Sequence, residues 1–312
     1  MRGWLELTEQ YVEEYAARGL SPKTIKRVDS ELGFWVRWVH SRRPRPAPEE
    51  VDADLIVRYV RHRTAFKSKV TVASVMSTLR GLGTFLVREG VWEANPLRWM
   101  RGPKMDVRRR VPRRLNAEAM GRLWEAAATC PQPYRRHLWL AVLGLLYGTG
   151  ARRGELVRMD VEDWVADEGL VLLDGQKTGW PRRVPLPALA GQCLAAYLEA
   201  REEHLAELGV RDEPALLINR WGGRLKGEDL SRGVKRLAKR ANVEELTVHW
   251  FRHTCASDLL EAGASVAEVQ EMLGHRAICT TIRYLDVADP QRQRAAELHP
   301  INAMLGEETA DE

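Results

Sequence analysis

Six side chains suited to phosphate chemistry follow one another along the chain: Arg152, Lys177, His249, Arg252, His275 and Tyr284. Breaking a phosphodiester without a metal takes a nucleophile, cations against the non-bridging oxygens, a general acid for the leaving oxygen, and a scaffold that positions all three. Arginine suits the second task, because its planar fork binds two oxygens at once and stays protonated. Lysine suits the third, because its pKa falls readily in a cationic pocket and it can then donate a proton near neutral pH. Tyrosine suits the first: a phenolate is a good leaving group, so its covalent link to phosphorus is reversible.

Each residue taken alone has a plainer reading. Tyrosines mostly pack as amphipathic side chains. Arg152 reads as a surface arginine, Lys177 as a solvated turn residue, and His275, after Leu273-Gly274, as a histidine neutralising a helix end. Thr149 to Leu156 ends one apolar helix and starts another. Gly148-Thr149-Gly150 is not a phosphate loop, since no Gly-Lys-Ser/Thr follows it and no strand precedes it. Glu155 shares a helical face with Arg152, where it either orients the guanidinium or pairs on the surface. His249-Trp250-Phe251-Arg252-His253 opens a helix and puts His249 and Arg252 on one side. The pair His249 and His253 invites a zinc reading, but the hydrolase motif needs glutamate after the first histidine and Trp250 stands there. No metal is expected.

Composition sets the frame. A chain of 312 residues is long for one core, so two domains are expected. Hydrophobic content of 45% with 29% charged residues fits a soluble globular protein. No stretch approaches the roughly 20 uninterrupted apolar residues of a membrane span. The opening MRGWLELTEQYVEEY lacks the apolar core of a secretion signal. Cys130, Cys193, Cys255 and Cys279 form no C-x-x-C pair, which predicts free thiols in a reducing, cytoplasmic setting. The net charge of +5 is unevenly spread: up to Leu115 there are about two dozen Lys and Arg against roughly a dozen Asp and Glu. The most basic stretches are Arg42-Arg43-Pro44-Arg45 and the run from Arg101 to Arg114, and a basic first third favours a polyanionic partner.

The elements that must position the six side chains follow from periodicity. Residues 4–18 have near-helical apolar spacing. Ser21-Pro22 looks like an N-cap with proline at the first helical position, opening a helix with Ile25, Val28, Leu32, Trp35, Val36 and Val39 on one side. Prolines 44, 46 and 48 break the chain, helices follow near 52–65 and 68–89, and Gly90 and Asn95-Pro96 close a small four-helix domain. Segment 97–115, with Pro103 and Pro112, reads as an extended basic linker. From Asn116 a second domain begins, with helices near 116–129 and 134–148. Strands at 170–174 and 181–186 flank a turn-rich tip, Gly175 to Gly179, that carries Lys177. Helices resume near 187–207, 228–240, 249–262 and 265–273, with a last one around 290–305 and an acidic tail, Glu307 to Glu312.

In this order and spacing the motifs resemble the tyrosine recombinase, or phage integrase, family, close to Xer-like recombinases and mobile-element integrases. The family pattern is Thr-Gly-x-Arg-x-x-Glu-Leu, a hairpin lysine, His-x-x-Arg-His, Leu-Gly-His, and a tyrosine nine residues on. Here it falls on Thr149 to Leu156, Lys177, His249 to His253, Leu273 to His275 and Tyr284. Val184-Pro185 resembles the end of the family's hairpin, and Ser21 to Thr24 and Asn95-Pro96 resemble its N-terminal domain. Ala151 and Gly154 depart from the usual leucine and serine, and Arg153 beside Arg152 leaves a register ambiguity that the spacing to Glu155 resolves towards Arg152.

The resemblance implies a mainly α fold with a small β-hairpin or sheet. A SAM-like core-binding domain (1–96), the basic linker (97–115) and a catalytic domain (116–312) would together form a C-shaped clamp on DNA. It implies site-specific recombination of double-stranded DNA through a 3′-phosphotyrosyl intermediate at Tyr284 and a Holliday junction, in a homo-tetramer. Arg152 and Arg252 would hold the non-bridging oxygens and Lys177 would protonate the leaving oxygen. His249 and His275 would complete the phosphate hydrogen bonds, with His249 a candidate base towards the tyrosine, and Glu155 would support the site. No cofactor is implied, because the phosphotyrosyl link conserves bond energy. The C-terminal helix would dock on a neighbouring subunit or else pack on its own domain. Candidate DNA contacts are Lys67, Lys69, Arg80, Arg108, Arg109, Arg110, Lys226, Arg232 and Lys235. A paralogous recombinase or accessory protein is a further candidate partner, and no membrane is. Two other classes share the motifs: a cleave-and-reseal enzyme such as a type IB topoisomerase or telomere resolvase, and a DNA-binding module that keeps the fold without the chemistry.

Overall fold

The computed structural model describes residues 2–65, 68–103, 113–175 and 181–274. Lys67, Arg108, Arg109, Arg110, Lys177, His275, Tyr284 and the helix expected near 290–305 lie outside them. The chain divides into two compact units, Met1–Arg110 and Val111–Glu312.

In the first unit the helices are α1 (Trp4–Ala17), α2 (Pro22–His40), α3 (Ala53–Thr64) and α4 (Lys69–Arg88). Their starts are set by polar caps: the Ser21 hydroxyl accepts the Thr24 N–H at 3.3 Å, Asp52 accepts the Leu55 N–H at 2.7 Å, and Ser68 accepts the Thr71 N–H at 3.3 Å. The core is aromatic. Trp35 meets Trp4 and Tyr59 edge-on, at centroid distances of 5.3 and 5.0 Å, a geometry that the ring quadrupoles favour. Buried Glu31 accepts the Tyr59 hydroxyl at 2.7 Å and pairs with Arg63 at 3.0 Å, so its charge is compensated. By length and composition α4 is apolar enough to cross a membrane, yet Val75, Leu79, Leu82, Phe85 and Leu86 are buried in this core.

The stretch read as a linker begins inside this unit. Leu97 is fully buried, and Arg80 donates to the carbonyls of Leu97 and Met100 at 3.4 and 3.0 Å. Arg80 thus ties down the chain after α4, where a phosphate contact was expected. The far end of the same stretch belongs to the second unit. Leu115 is buried there, its N–H reaches the Thr254 hydroxyl at 2.9 Å, and Arg114 pairs with Asp258 at 2.6 Å and with Glu261.

The second unit contains α5 (Ala117–Ala128), α6 (Pro133–Thr149), α7 (Arg153–Arg158), β1 (Trp164–Val165), β2 (Leu170–Leu173), β3 (Arg182–Pro185), α8 (Ala188–Leu208), α9 (Gly227–Arg240), α10 (Val248–Glu261) and α11 (Val266–Leu273). The sheet is antiparallel in the order β1-β2-β3, with Val171 opposite Val184 and Leu173 opposite Arg182. The added strand β1 has two residues, too short for alternation to reveal. Helix α6 runs through the core, where Ala141, Val142, Leu143 and Leu146 are fully buried against its neighbours. Helix α9 lies so close that a Cβ on Gly233 would stand 1.8 Å from the Trp139 ring.

Overpacking a core contact costs about 1–3 kcal/mol, so Gly233→Ala should lower the unfolding free energy by that amount in urea titrations. Gly121→Ala, on the open face of α5, should raise it by about 0.5–1 kcal/mol through helix propensity.

Candidate active site

The two motif arginines come from distant parts of the chain and reach the same place because two helices end there. Helix α6 stops at Gly150 (φ +60°) and α11 at Gly274 (φ +63°), both left-handed caps that favour glycine. The ends abut: a Cβ on Gly150 would lie 2.3 Å from the Leu273 Cδ2. Thr149 fixes the exit from α6, its buried hydroxyl donating to the Leu145 carbonyl at 2.6 Å and accepting the Ala151 N–H at 3.1 Å. The Thr-Gly and Leu-Gly pairs of the motifs are therefore facing helix stops.

Arg252, on the buried side of α10, joins these stops. One Nη donates to the Gly150 carbonyl at 2.8 Å and the other to the Leu273 carbonyl at 2.6 Å. Carbonyls at helix C-termini carry the negative end of the helix dipole, which compensates this buried guanidinium. Arg152 precedes α7 and donates to the Gly274 carbonyl at 3.1 Å and to the Glu155 carboxylate at 2.7 Å. Its neighbour Arg153 turns away to the Ser231 hydroxyl on α9 at 3.1 Å, so Arg152 is the arginine that faces Gly274. His249, one turn before Arg252 on α10, is exposed. The His249 and His253 rings stand 5.5 Å apart, and among the described residues no group of three His, Cys, Asp or Glu is arranged to hold a metal.

Glu155 is a buried hub rather than a surface partner. Its carboxylate accepts the Arg152 main-chain N–H at 2.8 Å, the Arg152 side chain, and both Nη of Arg182 at 3.2 and 2.9 Å. Arg182 also donates from Nε to the Met272 carbonyl at 2.9 Å. It was not among the expected residues. The signal was in β3, where Arg182 alternates onto the same face as fully buried Val184; an arginine there needs an internal anion. Burial pushes the Glu155 carboxyl up, but the hydrogen bonds from Arg182 and the Arg152 N–H outweigh it and hold the group down to about 2. Burial, then the charges of His249 and Arg252, hold His253 down to about 4. Burial pushes the neighbouring Cys255 up to about 12.

Two guanidiniums share the Glu155 carboxylate and a third, that of Arg252, holds the Leu273 carbonyl, which leaves a positive excess beside the turn at residues 273–274. Such an arrangement suits an anion that takes two or three hydrogen bonds from arginine forks. Among the candidate DNA contacts, Lys69, Lys226, Arg232 and Lys235 are exposed, with Arg232 paired to Asp229.

The model of the Phage integrase family matches residues 113–291, and that of the Phage integrase N-terminal SAM-like domain matches residues 8–90. The tyrosine recombinase XerC of Roseiflexus castenholzii is 30% identical over 280 residues, 89% of this chain and 88% of that protein. The tyrosine recombinase XerD of Mycobacterium tuberculosis is 37% identical over 242 residues, 76% of each. The fold is like that of the XerH site-specific recombinase bound to a palindromic difH substrate, with a TM-score of 0.74 and 21% identity over 93% of this chain and 83% of that one. It is also like a lambda integrase in a tetramer bound to a Holliday junction, with a TM-score of 0.67 and 23% identity over 90% and 76%.

The depressed carboxyl has a consequence for stability. A group whose folded pKa is about 2, against an ordinary 4.5, contributes stability that is complete above 4.5 and lost as pH falls towards 2. That contribution should be up to about 3 kcal/mol. Urea midpoints of the wild type should therefore fall steeply between pH 4.5 and 2, and Glu155→Gln should flatten that limb. Parallel pH curves would contradict the assignment.

Proposed function

This chain belongs to the phage integrase family, and from that premise we propose that Tyr284 is the nucleophile of its strand-exchange reaction. The protein is a tyrosine recombinase, an enzyme of site-specific DNA strand exchange. In our reading the Tyr284 oxygen attacks the scissile phosphorus. The P–O5′ bond breaks, and Lys177 gives a proton to the departing 5′-oxygen. The product is a 3′-phosphotyrosyl enzyme with a free 5′-hydroxyl. Attack by the 5′-hydroxyl of a partner strand reverses the chemistry, rebuilds the phosphodiester and releases the tyrosine. The exchange needs no ATP, because one phosphodiester is traded for another.

Arg152 and Arg252 bind the non-bridging oxygens and stabilise the pentacoordinate transition state. His249 and His275 add hydrogen bonds to the phosphate, with His249 taking the phenolic proton. Residues 1–96 and 116–312 both grip duplex DNA, with Lys67, Lys69, Lys226, Arg232, Lys235 and the linker arginines Arg108, Arg109 and Arg110 on phosphates. The assembly is four copies around a Holliday junction, working at the nucleoid in the cytoplasm. One observation carries the reading. Arg152 and Arg252, a hundred residues apart in sequence, hydrogen-bond the Gly274 and Leu273 carbonyls at the end of α11, one and two residues before His275.

Nicked suicide duplexes from the DNA flanking the gene test the reading on denaturing gels. The wild type should give a slow-migrating covalent adduct and Tyr284→Phe none. Arg152→Ala and Arg252→Ala should each reduce the cleavage rate by about 10²–10³-fold. An adduct that survives in Tyr284→Phe would overturn the assignment.

A further inference from the structure

Arg182 has no role in the reaction just described, yet its guanidinium is held at that site. Its guanidinium grips Glu155 with both Nη, at 3.2 and 2.9 Å, and the Met272 carbonyl with Nε at 2.9 Å. It also lies against Gly274, where a Cβ would come within 3.0 Å of its Nη. The side chain is 8% exposed and that of Glu155 is 2% exposed, so the pair is shielded from solvent and salt. Glu155 meanwhile holds Arg152 by two hydrogen bonds, one to the side chain and one to the main chain.

Charge balance gives this arrangement a meaning that packing alone does not. If Glu155 faced Arg152 only, the carboxylate would neutralise the guanidinium and compete with a phosphate for its donors. Sharing the same carboxylate with Arg182 leaves one net positive charge on the trio. Arg182 is directed inward, with a side chain 8% exposed and with Nε and both Nη bonded to Met272 and Glu155. Arg152 is the more exposed arginine, at 18%. We propose that Arg182 is a positioning residue that draws off the charge of Glu155, so that Arg152 keeps its positive charge for the scissile phosphate. Through its hydrogen bond to Met272, it also sets where the turn before His275 begins. The inference rests on the recombinase reading above and adds to it a residue that never touches the substrate.

The test is a double-mutant cycle read by single-turnover cleavage of the suicide duplex at saturating protein. Arg182→Gln should slow cleavage by about 10- to 100-fold, the range for a partner that orients and tunes a functional group, with duplex affinity nearly unchanged. The double variant Arg182→Gln/Glu155→Gln should cleave no more slowly than Glu155→Gln alone, because removing the carboxylate removes the need to balance it. Arg182→Lys, which keeps the charge, should fall between wild type and Arg182→Gln. A purely structural role predicts losses that add and a lysine variant no better than glutamine; either result, or wild-type cleavage by Arg182→Gln, overturns the proposal.

A second readout needs no cleavage. Titrating inorganic phosphate against ¹⁵N-arginine-labelled protein and following the Arg152 Nε–H signal, assigned with Arg152→Lys, should give weaker binding in Arg182→Gln and recovery in the double variant. Equal phosphate affinity in all of them would overturn the proposal even if the wild type cleaved nothing. A missing wild-type adduct by itself counts only against Tyr284.

Discussion

A carboxylate stays ionised inside a protein only if cations and N–H donors replace the water it has lost. Glu155 is such a carboxylate, and the second unit is organised around meeting its demand. The donors come from the start of α7, through the Arg152 main chain and side chain, and from β3, through Arg182. Arg152 and Arg182 also hold carbonyls at the end of α11. One buried charge thereby fixes three segments against one another, and two of them lead directly into the residues proposed for chemistry. Lys177 lies on the connection that enters β3, and His275 follows α11.

The helix ends are the other half of this construction. An α-helix leaves its last carbonyls without partners, and most helices give them to water or to a cap. Here the ends of α6 and α11 face each other and Arg252 takes one carbonyl from each. That geometry favours glycine at 150 and 274, where the backbone is left-handed and an added Cβ would clash with Leu273 at 150 and press on Arg182 at 274. The two departures from the motif, Ala151 and Gly154, bring no polar side chain into this geometry. Ala151 is buried but makes no polar contact with the arginines through its side chain. At Gly154 an added Cβ would meet only the flexible tip of Arg158.

Much of this was legible in the sequence. The helices were legible from apolar spacing and from the Ser21 cap, which accepts the Thr24 N–H; Ser68 and Asn116 cap their helices in the same way without having been singled out. Arg152 and Arg252 were legible from motif spacing. Less legible were features created by tertiary contact. Glu155 had two open readings, and only burial beside Arg182 decides between them. Arg80 looked like one more exposed cation of a basic domain, because nothing in its local sequence shows that the chain at Leu97 and Met100 returns to meet it. The burial of Leu97 and Leu115 was hidden for the same reason: a stretch without period can still bury single residues.

On the proposal above, this charge arrangement serves a tyrosine that links covalently to DNA. Peptide mapping of the protein–DNA adduct by mass spectrometry tests it most directly. After nuclease and protease digestion, the nucleotide should be found on the peptide containing Tyr284, joined through its 3′-phosphate. A nucleotide on any other residue, or one joined through a 5′-phosphate, would contradict the account.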